Sequence, residues 1–266
     1  MILDEIIRKK KISIEARKRE TSLESMYGKA LELLKEDSKL KNLSFKEALS
    51  GKNLSVIGEF KKASPSKGII VEDFNLKKVA SYYEELQVDA CSVLTEEDFF
   101  LGSNENLLEV KKLINKPILR KDFIVDFYQI YESKVLGANA ILLICSVLKD
   151  DLEKFYCEAK KFNLDVLVEV HNEEELELAL KCDCEIIGIN NRNLHSFETS
   201  FDATKNLLNK IPQNKIVISE SGMKSVEDLE IIKGLGVNGV LIGEMFMRNI
   251  DNESFIRRFK EFKVTS

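Results

Sequence analysis

No apolar run in this sequence approaches the roughly 18 residues that a membrane-spanning helix requires. The longest, such as AILLIC at 140–145, have the length of a strand. A signal peptide is not expected at this start, because MILDEIIRKKK mixes acids and bases from its fourth residue. Nor does one sign of charge dominate: the net charge of −5 supplies no basic footprint for a polyanion. Nucleic acid and membrane are therefore not expected partners, whereas a local basic pocket for a small anion stays open. The five cysteines are odd in number and irregularly spaced, which fits reduced thiols and a cytoplasmic protein. Their one close pair, Cys182 and Cys184, has no histidine or second cysteine pair nearby in sequence and is not read as a metal site. No Pro-, Gly- or Ser-rich linker and no low-complexity segment divides the chain.

What is present is a repeat of two textures. With 44% hydrophobic and 32% charged residues over 266 positions, the chain can bury a sizeable core. From about residue 50, short runs rich in Val, Ile and Leu alternate with charged stretches of helical period. The runs are LSVIGEF (54–60), ACSVLT (90–95), PILRKDF (117–123), NAILLI (139–144), DVLVEV (165–170), EIIGIN (185–190), KIVISE (215–220) and NGVLIG (238–243). Apolar at nearly every position, they suit parallel strands covered on both faces. LKKVASYYEEL, NEEELELAL and VEDLEIIKGLG between them read as helices, the last two with early acids that favour the helix dipole. The pattern predicts a single (β/α)₈ barrel over residues 51–266, with an open doubly wound sheet as the alternative. Residues 1–50 stand outside the repeat and read as a charged helical extension packed on the barrel. The basic run at Arg8–Lys11 is read as a solvated helix face.

The strand ends carry unusual charge. GEFKKASPSKG at 58–68 places a glutamate and lysines at the mouth of a buried strand, where unpaired charge is costly. Catalytic groups of a barrel gather at the C-terminal strand ends, and side chains alternate inward and outward. On that alternation Glu59 and Lys61 share a face, as do Lys121 and Phe123, Glu169 and His171, and Asn190 and Arg192. The seventh run ends in Glu220 and Ser221. Wet strand ends tolerate single charges, but several strands ending in groups that share one cavity point to a polar site. Lysines and carboxylates in one mouth supply general acids and bases.

Two later stretches fit a phosphate. SESGMKS (219–225) and IGEMFMR (242–248) place glycines at turns before helices, after the seventh and eighth strands, where barrels commonly hold anions. GLGVNG at 234–239 matches a dinucleotide fingerprint formally but ends a helix and enters a strand, the reverse order.

These motifs, EFKKASPSKG, SVLTEEDFFLGS, ILRKDFIVDFYQIYES, LVEVHNEEELELAL, IGINNRNL, ISESGM and LIGEMFMR, resemble the indole-3-glycerol phosphate synthase family of tryptophan biosynthesis almost end to end. The resemblance implies a (β/α)₈ lyase without a cofactor. It implies closure of a pyrrole ring on 1-(2-carboxyphenylamino)-1-deoxyribulose 5-phosphate, with loss of carbon dioxide and water. Such chemistry needs an acid at the ketone oxygen, a carboxylate base and a site for the substrate's carboxylate.

Carried over by position, the resemblance makes Lys121 the acid of ring closure and Glu169 its acid–base partner. Lys61 becomes the carboxylate binder or second acid. Glu59 and Glu220 orient the lysines, with Glu59 a candidate base. Asn190, Arg192, Ser221 and Ser64 bind and orient the substrate, and Phe100 and Phe123 wall its aromatic ring. Gly222, Gly243 and Glu244 offer backbone to the phosphate, with charge from Lys61. A monomer is implied, with association with other tryptophan-pathway enzymes left open.

Two positions depart from the family pattern. Phe60 is larger than usual and is expected to pack outward on a helix; Met245 stands beside the phosphate turn. His171 and His195 read as loop residues. Two rivals remain at this level, a Schiff-base aldolase using Lys121 as nucleophile and a phosphate-binding barrel without chemistry.

Overall fold

A computed structural model of the chain describes residues 2–37, 43–192 and 198–265. Helices α1 (Ile2–Glu20), α2 (Leu23–Asp37) and α3 (Phe45–Ala48) precede the first strand. Eight strands then follow: β1 (Ser55–Phe60), β2 (Ala90–Leu94), β3 (Ile118–Lys121), β4 (Ala140–Ile144), β5 (Asp165–Val170), β6 (Ile186–Asn190), β7 (Ile216–Glu220) and β8 (Gly239–Ile242). Each expected run contains its strand, with ends moved by no more than a residue or two. Between them come α4 (Leu76–Glu85), α5 (Asn104–Leu113), α6 (Phe127–Leu136), the short α7 (Cys145–Leu148), α8 (Leu152–Lys161), α9 (Glu173–Lys181), α10 (Asp202–Leu208) and α11 (Val226–Leu235). The short α12 (Glu244–Arg248) and α13 (Glu253–Thr265) complete the chain.

All strand pairs of the barrel are parallel, and β1 closes on β8 with Ser55 opposite Gly239. That pairing excludes an open doubly wound sheet. A small antiparallel ribbon, Ala63–Ser64 with Gly68–Ile69, lies just beyond β1.

Strand alternation divides the core in two. Inward residues Ile57, Ala90, Leu119, Leu142, Leu167, Ile186, Ile218 and Leu241 fill the barrel. Phe45 and Leu49, at either end of α3, belong to the same cluster and are fully buried. The backbone N–H of Lys46 donates to the carboxylate of Asp165 at the start of β5 (2.9 Å), so α3 stoppers the N-terminal end. Outward residues such as Val56, Phe60, Val93, Val168 and Val240 pack instead on the helix layer. Phe60 meets the ring of Tyr83 edge-on at 5.0 Å, the outward packing expected of it.

Helix α1 docks through a stripe of Ile6, Lys10 and Ile14, spaced four apart on one face. The reading of the basic run as a solvated face is therefore corrected at Lys10. Its side chain is 3% exposed and its ammonium sits 2.8 Å from the fully buried Asp122 carboxylate, so an ion pair replaces the lost water. Arg17 and Lys18 complete the docking through Glu132 and Asp126.

Candidate active site

The site is built at the C-terminal ends of the strands, because each contributes its last inward residue. On β1 that residue is Glu59, while Phe60 turns outward; on β3 it is Lys121, beside outward Arg120. In the sheet register Lys121 pairs with Leu94, Glu169 with Gly188, and Asn190 with Glu220. One cavity is lined by Glu59, Lys61, Ser64, Phe100, Lys121, Phe123, Glu169, Asn190, Arg192, Glu220 and Ser221. These are the positions expected to share a mouth, and the structure brings them together.

The ammonium of Lys121 lies 3.2 Å from Glu169 Oε2 and 2.5 Å from Glu220 Oε2. Glu169 Oε1 accepts from Asn190 Nδ2 at 3.1 Å. A second pair, Lys61 with Glu59 at 3.1 Å, stands alongside. Above it the Lys61 ammonium is 5.7 Å from the Phe100 ring, which is tilted against Phe123 at 6.1 Å. Arg192 reaches across the mouth to Ser66 Oγ at 3.2 Å.

Two glycines make room for this. A Cβ at Gly188 would collide with Glu220 Oε1, and one at Gly243 would come within 2.6 Å of Glu59 Oε1. The carboxylates thus occupy space that side chains of β6 and the β8 end leave free.

Burial and charge act on the members unequally. Burial pushes Glu220 up to about 7; Lys121 pulls it down, and Glu169 and Glu59 add to the push. Burial would raise Glu169 likewise, but Lys121, His171 and the Asn190 bond outweigh it and hold that carboxyl below its ordinary range. Burial opposes the charge on Lys121, yet its carboxylate neighbours raise its pKa well above that of a free lysine. Lys121 is accordingly a firmly protonated donor, and the two carboxylates beside it are driven apart in acidity.

The remaining expected residues lie next door. Gly222, Gly243, Glu244 and Met245 line a second cleft that shares Glu59, Lys61, Arg192 and Ser221 with the first. Ser221 and Gly222 both have positive φ, 65° and 94°, so the chain turns sharply after β7. A serine held there costs on the order of 1–2 kcal/mol. Glu244 directs its carboxylate to Arg248 Nε at 2.9 Å. Met245, which lines this cleft, is buried with the outer core.

Two findings were not anticipated. Ile2, Leu3 and Ile6 of α1 also line the main cavity, so the helix is part of its wall. Their apolar cluster at the head of a charged helix was the available signal. His171 lies in the loop after β5, as expected, but its side chain is only 11% exposed and packs behind Glu169. His195 lies outside the described residues.

A set of paired acids and bases in the C-terminal mouth of a parallel barrel defines the class, an acid–base enzyme on a (β/α)₈ scaffold. Comparison with known proteins narrows it. The family model for indole-3-glycerol phosphate synthase matches residues 3–259. The indole-3-glycerol phosphate synthase of Thermoanaerobacter pseudethanolicus is 53% identical over 99% of both chains, and that of Clostridium acetobutylicum is 51% identical over 97% of both. Among solved structures, the fold is shared with 3-hexulose-6-phosphate synthase from Salmonella typhimurium (TM-score 0.63, 13% identity, 80% of this chain and 99% of that one). It is shared also with KGPDC from Streptococcus mutans (TM-score 0.57, 15% identity, 80% and 99%). The chain belongs to the indole-3-glycerol phosphate synthase family.

Proposed function

We infer that this chain is the carboxy-lyase of its family, acting in tryptophan biosynthesis. It closes the pyrrole ring of 1-(2-carboxyphenylamino)-1-deoxyribulose 5-phosphate and releases carbon dioxide and water to give indole-3-glycerol phosphate. The observation that carries the reading is the Lys121 ammonium held between Glu169 and Glu220, with Lys61–Glu59 in the same mouth.

In this account Lys121 Nζ donates a proton to the ketone oxygen as the aromatic carbon attacks the carbonyl carbon. Negative charge developing on that oxygen meets a fixed cation in a site shielded from water. Carbon dioxide then leaves with its bonding pair passing to the ring. Glu169 acts as acid–base partner in the loss of water, and Asn190 keeps its carboxylate turned into the cavity. Glu220 holds Lys121 in place. Lys61, oriented by Glu59, faces the substrate carboxylate or serves as second acid, and Glu59 is a candidate base. Phe100 and Phe123 wall the anthranilate ring, with Arg192, Ser221 and Ser64 binding around it. The phosphate takes the adjoining cleft, against the backbone of Gly222, Gly243 and Glu244, with Lys61 between the two.

We take residues 1–50 as an extension on a catalytic barrel of residues 51–266, and the protein as a cytoplasmic monomer. Among the described residues no helix is long and apolar enough to cross a membrane.

A Schiff-base mechanism needs a lysine made neutral by its surroundings. The two carboxylates beside Lys121 do the opposite, which favours the acid role. The test is to supply the aminodeoxyribulose phosphate and follow the indole chromophore. Its appearance, with no adduct on Lys121 after borohydride, is the expected result. Binding without turnover would overturn the reading.

A further inference from the structure

Glu169 has a neighbour on the side away from the cavity. Strand β5 ends at Val170, and His171 turns back behind it. Its Nδ1 lies 3.0 Å from Glu175 Oε2 in the first turn of α9, and the same oxygen accepts the His171 backbone N–H at 2.9 Å. Glu175 is fixed in turn, since its Oε1 accepts from Asn172 Nδ2 at 2.9 Å. The other ring nitrogen, Nε2, is buried 3.4 Å from Glu169 Oε1 and has no hydrogen-bond partner. Each ring nitrogen therefore faces a carboxylate.

That placement favours one protonation state. A neutral imidazole carries one N–H and one lone pair. With Nδ1–H given to Glu175, a neutral ring would turn its lone pair on Glu169. A protonated ring presents an N–H to both.

We propose that His171 is a positioning residue, an imidazolium clamped by Glu175 that stabilises ionised Glu169 from behind and so sets the pH at which Glu169 works as a base. The inference rests on Glu169 having the acid–base role given above. Other groups act on the pair from every side. Lys121 on β3 and Asn190 on β6 reach Glu169, and Glu220 on β7 adds negative charge toward both Lys121 and His171. Cys145 of α7 lies 3.5 Å from the Glu175 carbonyl, and burial raises its thiol so that it stays neutral. Burial works against the charge on the ring, but the bond to Glu175 and the charges of Glu169, Glu175 and Glu220 outweigh it and raise His171 above its ordinary value.

The chain has two histidines, which makes the charge directly readable. In protein with ¹⁵N-labelled imidazoles, a His195→Asn variant assigns the signals. The His171 ring should titrate above the roughly 6.5 of a free side chain, and its midpoint should fall in Glu175→Gln. In the pH profile of kcat/KM, His171→Asn should move the acid limb upward by about one unit, because Glu169 loses a stabilising cation. KM should change far less.

Three outcomes are separable. A His171 ring titrating at or below the ordinary value, or a midpoint unmoved by Glu175→Gln, would overturn the proposal. An acid limb lost in Glu169→Gln yet unmoved in His171→Asn would overturn the role of His171 alone. A limb retained in Glu169→Gln would remove Glu169 as the base and the proposal with it. Should His171→Asn fail to fold, the ring titrations in wild type and Glu175→Gln decide the matter.

Discussion

Two buried charge clusters meet at consecutive residues of one strand, back to back across the barrel wall. Arg120 points outward. Its guanidinium donates to Thr95, Ser133, Asn104, the carbonyl of Gln129 and the carboxylates of Asp122 and Glu132. Both carboxylates have a second cation from α1, Lys10 for Asp122 and Arg17 for Glu132. Lys121 points inward, and there two carboxylates share one cation. Its two carboxylate neighbours are pushed in opposite directions, and Glu220 Oε1 is buried without a hydrogen-bond partner. The outer cluster places each carboxylate between two cations and holds helices to the strand, although the Nε of Arg17 is also left without a partner. The inner one keeps unmet capacity for protons, which a substrate can use. Position along the strand is nearly the same; the sign of the excess charge differs, cations outnumbering carboxylates outside and carboxylates outnumbering the cation inside.

Substitution at each centre sharpens that contrast. Lys121→Ala should lower kcat by on the order of 10³-fold, the usual scale for losing a general acid. Circular dichroism should still show a folded protein, since the side chain fills no core volume. Arg120→Ala should do the reverse, destabilising by about 3–5 kcal/mol in urea unfolding because Asp122 and Glu132 each lose one of two buried cations. Its loss of turnover should be smaller than that of Lys121→Ala. If the two variants exchanged phenotypes, the contrast would be wrong.

Smaller effects probe the inner cluster itself. A methyl at Gly188 meets Glu220 Oε1 and comes within 3.2 Å of Leu167 Cδ1. Gly188→Ala should therefore cost about 1–3 kcal/mol by overpacking, with turnover falling alongside; unchanged unfolding would show that Glu220 has other room.

A further effect, spread over pH, concerns Glu220. Glu220 has a folded pKa of about 7, above its ordinary 4.5. A group so shifted contributes stability that is complete below the unfolded value and lost as pH rises through the folded one. Glu220→Gln removes that ionisation. Wild type should lose stability relative to the variant from about pH 4.5 to pH 7, by at most about 1.4 kcal/mol per unit. Parallel unfolding curves across that window would contradict the imbalance described for the inner cluster.

Much of the barrel was legible beforehand because strands buried on both faces are apolar at nearly every position. The site residues were legible for a related reason: a charge at the end of such a run breaks its pattern, and period-two alternation says which charges share a face. Lys10 and Arg120 gave no such signal. Lys10 sits in a basic run on a helix, where solvation is the usual state, and its partner Asp122 lies far along the chain. Arg120 follows an inward leucine and reads as an ordinary wet strand end. Alternation put His171 on the face of Glu169, but its place beyond the strand made it read as a loop residue rather than a partner of that carboxylate. The stopper formed by α3 escaped notice too, since four residues carry too little periodicity to reveal a helix.

The order of strands and helices and the residues at the strand ends follow from the sequence alone, because they depend on local periodicity and on which residue types tolerate burial. Closure into a barrel rests instead on the long-range pairing of β1 with β8. Only the folded chain decides which buried charges are neutralised and which are left wanting. That outcome depends on distances between groups brought together from separate strands and from α1, and no local pattern encodes them.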